Sequence, residues 1–220
     1  HSEKPSIWPA SAWNRASTPT LDTVKISGLT RTRYAQVTQA LGLPVDGLLS
    51  ADAFATARRR LQQFPMFIAT RLSLRPLEDH YAAVDVAVVE HGGPPRGVVP
   101  WAVAAVRAGL EREATVTSPG WSGQGETWTA GVRWWTRRPS ASLAFAAPFT
   151  TGPRGVWRVD LGWARQTYGA TTADDIREDR LTGRLGAASW VRPNLRLDAS
   201  VSLDGWQKPS GHFRTIGVET

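Results

Sequence analysis

Between residues 195 and 204 apolar and polar positions alternate without a break. Leu195, Leu197, Ala199, Val201 and Leu203 oppose Arg196, Asp198, Ser200, Ser202 and Asp204. A period of two marks a β-strand with unlike faces. Residues 156–166 repeat it, with Trp157, Val159, Leu161 and Trp163 against Arg158, Asp160 and Gly162. So do residues 179–190, where Leu181, Leu185 and Ala187 oppose Arg180, Thr182 and Arg184, and residues 126–136, where Trp128, Ala130, Val132 and Trp134 oppose Thr129, Gly131 and Arg133. Residues 141–149 set Leu143, Phe145 and Phe149 against small side chains. Residues 98–119 add two less regular strands, and residues 212–220 begin a last one. The pattern predicts about eight antiparallel strands joined by short turns, such as Arg137-Arg138-Pro139-Ser140 and Arg192-Pro193-Asn194.

The first part of the chain follows other periods. Val24 and Ile26 alternate with polar neighbours as a strand that Gly28 ends. From Thr30, the spacing of Tyr34, Val37 and Leu41 predicts one helix face, stopped by Gly42. Ser50 can cap a second helix from Ala51 to Phe64, with Phe54, Ala57, Leu61 and Phe64 on one side. Arg58-Arg59-Arg60 falls mostly on the other side and reads as a solvated face. Pro65 forbids continuation. Strands follow at Phe67 to Leu74 and at Tyr81 to Glu90, the latter with Val84, Val86 and Val88 on one face. The order β-α-α-β-β describes an α+β domain over residues 22–91. Residues 1–21, rich in Ser, Pro and Thr, read as a flexible lead-in. Gly92-Gly93-Pro94-Pro95 begins a linker over residues 92–97.

Composition sharpens this division. Of eleven tryptophans, nine follow residue 100. The net charge of +7 raises nucleic acid as a partner. It divides thinly, however: residues 1–95 hold ten basic and eight acidic residues, and residues 96–220 hold sixteen and eleven. Nucleic acid is therefore not expected. With no cysteine, disulfides, thiolate metal sites and a cysteine nucleophile are excluded. No apolar run is long enough for a membrane-spanning helix, which says nothing against membrane strands. The chain opens on His1 rather than Met and reads as a processed or excised product.

The alternating strands allow two senses. In a soluble sandwich or barrel the apolar face is the interior. In an outer-membrane barrel it meets lipid, and the polar face lines a wet lumen. Three features favour lipid. The strands are long. Trp128, Trp134, Trp157, Trp163, Trp190 and Trp206 lie at or near strand ends, where an interfacial girdle needs them. Opposed charges (Arg158/Asp160, Arg196/Asp198) sit on the polar face. The lipid-facing set is then Trp128, Trp134, Trp157, Val159, Leu161, Trp163, Leu195, Leu197, Val201 and Leu203.

Reactive chemistry finds no support. His1, His80, His91 and His212 are not at metal-ligand spacing. Gly120-Trp121-Ser122-Gly123-Gln124 fails the nucleophile-elbow pattern at its last position, and there is no phosphate loop. Asp174, Asp175, Glu178 and Asp179 form an acidic cluster that reads as a solvated loop, with calcium the sharper alternative. No cofactor, metal or catalytic set is expected, and the chain is not read as an enzyme.

The first domain resembles a POTRA module. The matching residues run from Val24-Lys25-Ile26-Ser27-Gly28-Leu29-Thr30 through Ala57-Arg58-Arg59-Arg60-Leu61-Gln62-Gln63-Phe64-Pro65-Met66-Phe67 to Val84-Asp85-Val86-Ala87-Val88-Val89-Glu90. The second part resembles the start of the barrel in outer-membrane assembly and secretion proteins of the BamA/TamA type. Gly120-Trp121-Ser122-Gly123-Gln124-Gly125-Glu126 is similar to their Gly-rich turn before the third strand. Ala147-Pro148-Phe149 is similar to the aromatic-Pro pair ending their fourth. Such barrels have about twice as many strands and an inward loop with an Arg-Gly-aromatic motif that this chain lacks, so it reads as an N-terminal fragment with an incomplete barrel.

The resemblance implies a factor that inserts polypeptides into the bacterial outer membrane or passes them across it, with the POTRA domain in the periplasm. Phe67, Ile68, Ala69, Thr70, Arg71, Leu72, Ser73 and Leu74 would be an edge strand that binds clients by strand addition. Val98, Val99, Pro100, Trp101, Ala102 and Val103 would border a lateral seam weakened by Pro100. Partners would be unfolded or nascent outer-membrane or secreted polypeptides, outer-membrane lipid and periplasmic accessory proteins. Two alternatives stand beside this reading: a two-partner secretion pore exporting a soluble client, and a soluble binding protein with a β-sandwich domain.

Overall fold

The computed structural model describes residues 18–93, 98–152, 154–169, 176–208 and 211–219. Most of the lead-in, the linker residues 94–97, and Asp174 and Asp175 of the acidic cluster lie outside these.

The first domain contains β1 (Thr20–Ser27), α1 (Tyr34–Leu41), α2 (Ala51–Gln63), β2 (Phe67–Pro76) and β3 (Tyr81–Glu90). Its three strands form one sheet in the order β1-β3-β2, with β1 parallel and β2 antiparallel to β3. The helices form where the apolar spacing places them. The Ser50 side chain accepts a hydrogen bond from the Ala53 N–H at the start of α2. Gly42 closes α1 in the left-handed conformation. Val37, Leu41, Leu49, Ala57, Leu61, Phe64 and Met66 pack on Leu21, Val84, Val86 and Val88 as a dry core.

The second unit begins with α3 (Val98–Glu111) and continues with β4 (Glu113–Pro119), β5 (Thr127–Arg133), β6 (Ser140–Pro148), β7 (Val156–Tyr168), β8 (Ile176–Arg192), β9 (Leu195–Lys208) and β10 (Gly211–Glu219). The strands form one seven-stranded antiparallel meander, each pairing with its neighbours in sequence. Its turns alternate between two ends. The β4–β5, β6–β7 and β8–β9 turns lie at the end nearer the first domain.

Three expectations are corrected here. Val98, Val99, Pro100, Trp101, Ala102 and Val103 open a helix, not a strand bordering a seam. Ala102, Ala104, Ala105 and Ala108 favour helix. Pro100 sits in the first turn, where its missing N–H would have no intrahelical partner. Arg107 pairs with Glu111 one turn on, at 2.9 Å. Seven strands therefore replace about eight among the described residues. As a result, the Gly120–Glu126 turn precedes the second strand of this sheet, and Ala147-Pro148 ends its third.

The arginine triplet is the third correction. Arg58 and Arg59 are exposed, but α2 does not present a merely wet face. The Arg60 Nε donates to the Trp190 carbonyl at 2.8 Å, and Arg59 lies 5.3 Å from the Trp190 ring centre. Gln63 donates to the Ala188 carbonyl. The Arg33 N–H donates to the Gly123 carbonyl, the Gln39 side-chain amide donates to the Thr150 carbonyl, and the Arg154 Nε donates to the Gln39 carbonyl. Phe64 packs so close to Gly125 that an added Cβ would lie 2.1 Å from its ring. The first domain is thus docked on one end of the meander.

Candidate functional site

In an antiparallel sheet, residues directly opposite on neighbouring strands project from the same face. Val159 faces Leu185, Leu161 faces Gly183, and Leu185 faces Val201. The apolar positions of β7, β8 and β9 therefore merge into one surface. That surface is open. Leu161 is 51% exposed, Leu197 57%, Val201 44% and Leu203 55%. Trp128, Trp163 and Leu195 are exposed on it, Trp157 and Val159 are half-buried, and Trp134 is exposed just beyond β5. All ten residues of the expected lipid-facing set thus lie at this surface or its margin. Among the described residues no dry nucleus encloses them.

Aromatic residues edge the surface near both ends. Toward the first domain, Trp128, Phe145 and Trp157 form a cross-strand row with ring centres 4.3 and 4.8 Å apart. Toward the far end stand Trp134 and Trp163. Trp157 and Trp163 are six residues apart along β7, about 20 Å at strand rise. Beyond Trp163 the same face becomes charged. Arg165 and Asp179 form a forked pair there, at 2.8 and 3.2 Å.

The opposite face is ionic. Arg133 pairs with Glu113 at 2.8 Å, Arg184 with Glu219 at 2.6 Å, Arg180 with Asp204 at 3.2 Å and Arg196 with Asp198 at 2.8 Å. Asp160 stands opposite Arg184. Arg158, Asp160, Arg184, Arg196, Asp198 and Glu219 line a cleft of about 370 Å³. Trp190 and Trp206 belong to this face, which removes them from the girdle. Trp190 lies opposite Arg196 and Trp206 opposite Arg180, with the guanidinium carbons 5.9 and 5.0 Å from the ring centres. Their odd–even parity with the arginines was available in the sequence; proximity to strand ends was the weaker signal.

Backbone edges are the other functional element. β2 pairs with β3 on one side only, so Phe67, Ile68, Ala69, Thr70, Arg71, Leu72, Ser73 and Leu74 lie on an edge strand. Phe67 is buried, and Leu72 and Leu74 pack on the core, while Ile68, Ala69 and Arg71 are exposed. In the second sheet β4 and β10 are the edges.

Two carboxylates that the sequence offered only as the last residues of motifs brace the segments on either side of the junction. Glu90 accepts from the N–H groups of Thr30, Arg31 and Thr32 and from the Thr30 hydroxyl. Burial alone would push its carboxyl up, but these hydrogen bonds outweigh burial and hold it below the ordinary range. Glu126 is held low in the same way. Burial opposes its charge, and bonds from the N–H groups of Ser122 and Gln124 prevail. The signal existed for Glu90: it continues the Val84-Val86-Val88 core face, where a charge needs partners.

No family model matches the chain, and no curated protein matches it. Among solved structures it is similar to BamA from Haemophilus ducreyi lacking POTRA domains 1–3, with TM-score 0.46 and 12% identity over 91% of this chain and 42% of that one. It is also similar to CdiB from Escherichia coli, with TM-score 0.49 and 9% identity over 93% of this chain and 39% of that one. The chain thus spans about two fifths of the length of each.

Proposed function

We propose that this chain forms part of an outer-membrane factor that inserts polypeptides into the membrane or passes them across it. One observation carries the reading: the seven-stranded sheet leaves its apolar face uncovered and gathers its ion pairs on the opposite face. A sheet with that sense is matched to lipid on one side and a wet lumen on the other. The aromatic rows near both ends fit the two interfaces of a bilayer.

The docked α+β domain then stands at the periplasmic end as a POTRA-type module. Its edge strand β2 offers unpaired N–H and C=O groups to an extended client, giving affinity with little demand on client sequence. Within the lipid-facing sheet, β4 is the edge that follows the domain, in place of residues 98–103.

Purification and crosslinking test both halves. The folded chain is expected to require detergent or lipid, and a monodisperse folded chain in plain buffer would sink the membrane reading. A photo-crosslinker at Arg71 is expected to capture an unfolded outer-membrane polypeptide, and Leu72→Pro to abolish capture. Unchanged capture would remove β2 from the mechanism. Circular dichroism of the variant checks that the domain stays folded.

A further inference from the structure

Helix α3 is the least expected element of the molecule. From Val98 to Val106 it carries no charge, reading Val-Val-Pro-Trp-Ala-Val-Ala-Ala-Val. Every residue from Val98 to Arg112 except Ala108 is exposed. Val98 is 84% exposed, Val103 64% and Leu110 81%. A helix apolar all round belongs in an apolar environment, and the protein itself does not supply one here.

Its place in the chain indicates what does. The Glu111 carbonyl at its end accepts from the Trp135 indole, and the next carbonyl, of Arg112, accepts from the Trp134 N–H. These tryptophans follow β5 at the far end of the meander. The first domain's last strand ends at Glu90, tied through Thr30–Thr32 to the near end, where Arg33 meets Gly123. The segment containing α3 thus carries the chain from one end of the sheet to the other. Fourteen residues of helix extend about 21 Å, close to the about 24 Å that β4 covers in the opposite direction.

No helix among the described residues is long and apolar enough to cross a membrane by itself. α3 need only match the height of the apolar band beside it. Its single ion pair, Arg107–Glu111, falls at the far end, level with Trp134 and Trp135.

We propose that α3 lies among the acyl chains beside β4, as a helical wall element continuous with the apolar face of the sheet. Lipid, not a protein partner, is its occupant. An α-helix satisfies its own backbone hydrogen bonds and tolerates hydrocarbon on every side, whereas a lone strand in that position would not. The inference rests on the outer-membrane reading and extends it to an element outside the sheet.

The chain has no cysteine, so single cysteines label cleanly. An environment-sensitive fluorophore is placed in turn at Val99, Ala102, Val103, Ala105 and Val106 of the full 220-residue chain. The chain is reconstituted in phosphatidylcholine vesicles, and quenching by brominated acyl chains is compared with quenching by aqueous iodide. Leu197→Cys serves as the outward sheet reference and Asp198→Cys as the inward one. The expected result is at least a threefold preference for lipid quenching at all five helix positions, odd and even alike. Iodide quenching at all five, with Leu197 quenched by lipid, would overturn this inference and leave the outer-membrane reading standing. Lipid quenching at every second position would also overturn it, because the segment would then be a strand. Iodide quenching at Leu197 as well would overturn both.

Discussion

Strands β3 and β9 carry nearly the same pattern and use it in opposite ways. In β3, Val84, Val86 and Val88 are 0%, 1% and 4% exposed beneath two helices. In β9, Leu197, Val201 and Leu203 alternate as cleanly and remain open. What differs is the cover. The first domain supplies α1 and α2, whose apolar faces bury the valines. Among the described residues no second layer covers the meander, and α3 leaves its apolar side chains exposed instead of closing over the sheet. Alternation thus reports that a strand has two unlike faces. What packs against the apolar face decides which solvent it meets.

Substitutions on the two strands break or sharpen that contrast. Val86→Asp places an unpaired charge in the dry core and should cost more than about 4 kcal/mol, seen as loss of the first domain's cooperative unfolding by circular dichroism. Val201→Arg, between the levels of Trp157 and Trp163, should cost about 2–4 kcal/mol for the chain in vesicles, measured by denaturant titration. A change within about 0.5 kcal/mol, as expected on a wet face, would show that the two strands do not differ in solvent.

The junction between the regions gives the next effect. Arg60→Ala removes a charged donor from the Trp190 carbonyl and should loosen docking by about 1.5–3 kcal/mol. A broadened distance distribution between spin labels on β3 and β9 is the readout.

Glu90→Gln isolates an acid-sensitive contribution in the first domain alone. Because the folded carboxyl is held below its ordinary value, its contribution is fully present above about pH 4.5. It is lost as pH falls through the lowered value. The wild-type first domain should therefore lose stability on acidification below that point, and the variant should show a flatter profile with about 1–2 kcal/mol less stability at neutral pH. Thermal melts from pH 3 to 7 give both numbers. The smallest effect is Ser50→Ala, about 1 kcal/mol from the lost cap on α2, with no change in vesicle association.

Much of this was legible along the chain. Ser50, Gly42 and Pro65 bound the helices of the first domain, and the order of its elements follows from their spacing. The faces of β7, β8 and β9 follow from parity alone. Residues 98–111 were not legible, because their valines suit a strand and their alanines a helix, and neither period is strong. The girdle overreached for a related reason. Trp190 and Trp206 sit near strand ends, yet their parity places them with Arg196 and Arg180. Docking by Arg59 and Arg60 was hidden because Trp190 lies 130 residues beyond Arg60.

By itself the sequence determined the strands of the meander, the unlike faces of each, and an α+β unit ahead of them, since these depend on neighbours two to four residues apart. Tertiary structure decided that the valines of β3 go dry while the leucines of β9 stay open, that the arginine helix docks on a tryptophan, and that α3 is a helix without cover. Each of these depends on residues far apart in the chain or on which surfaces find a covering layer, and local periodicity does not encode either.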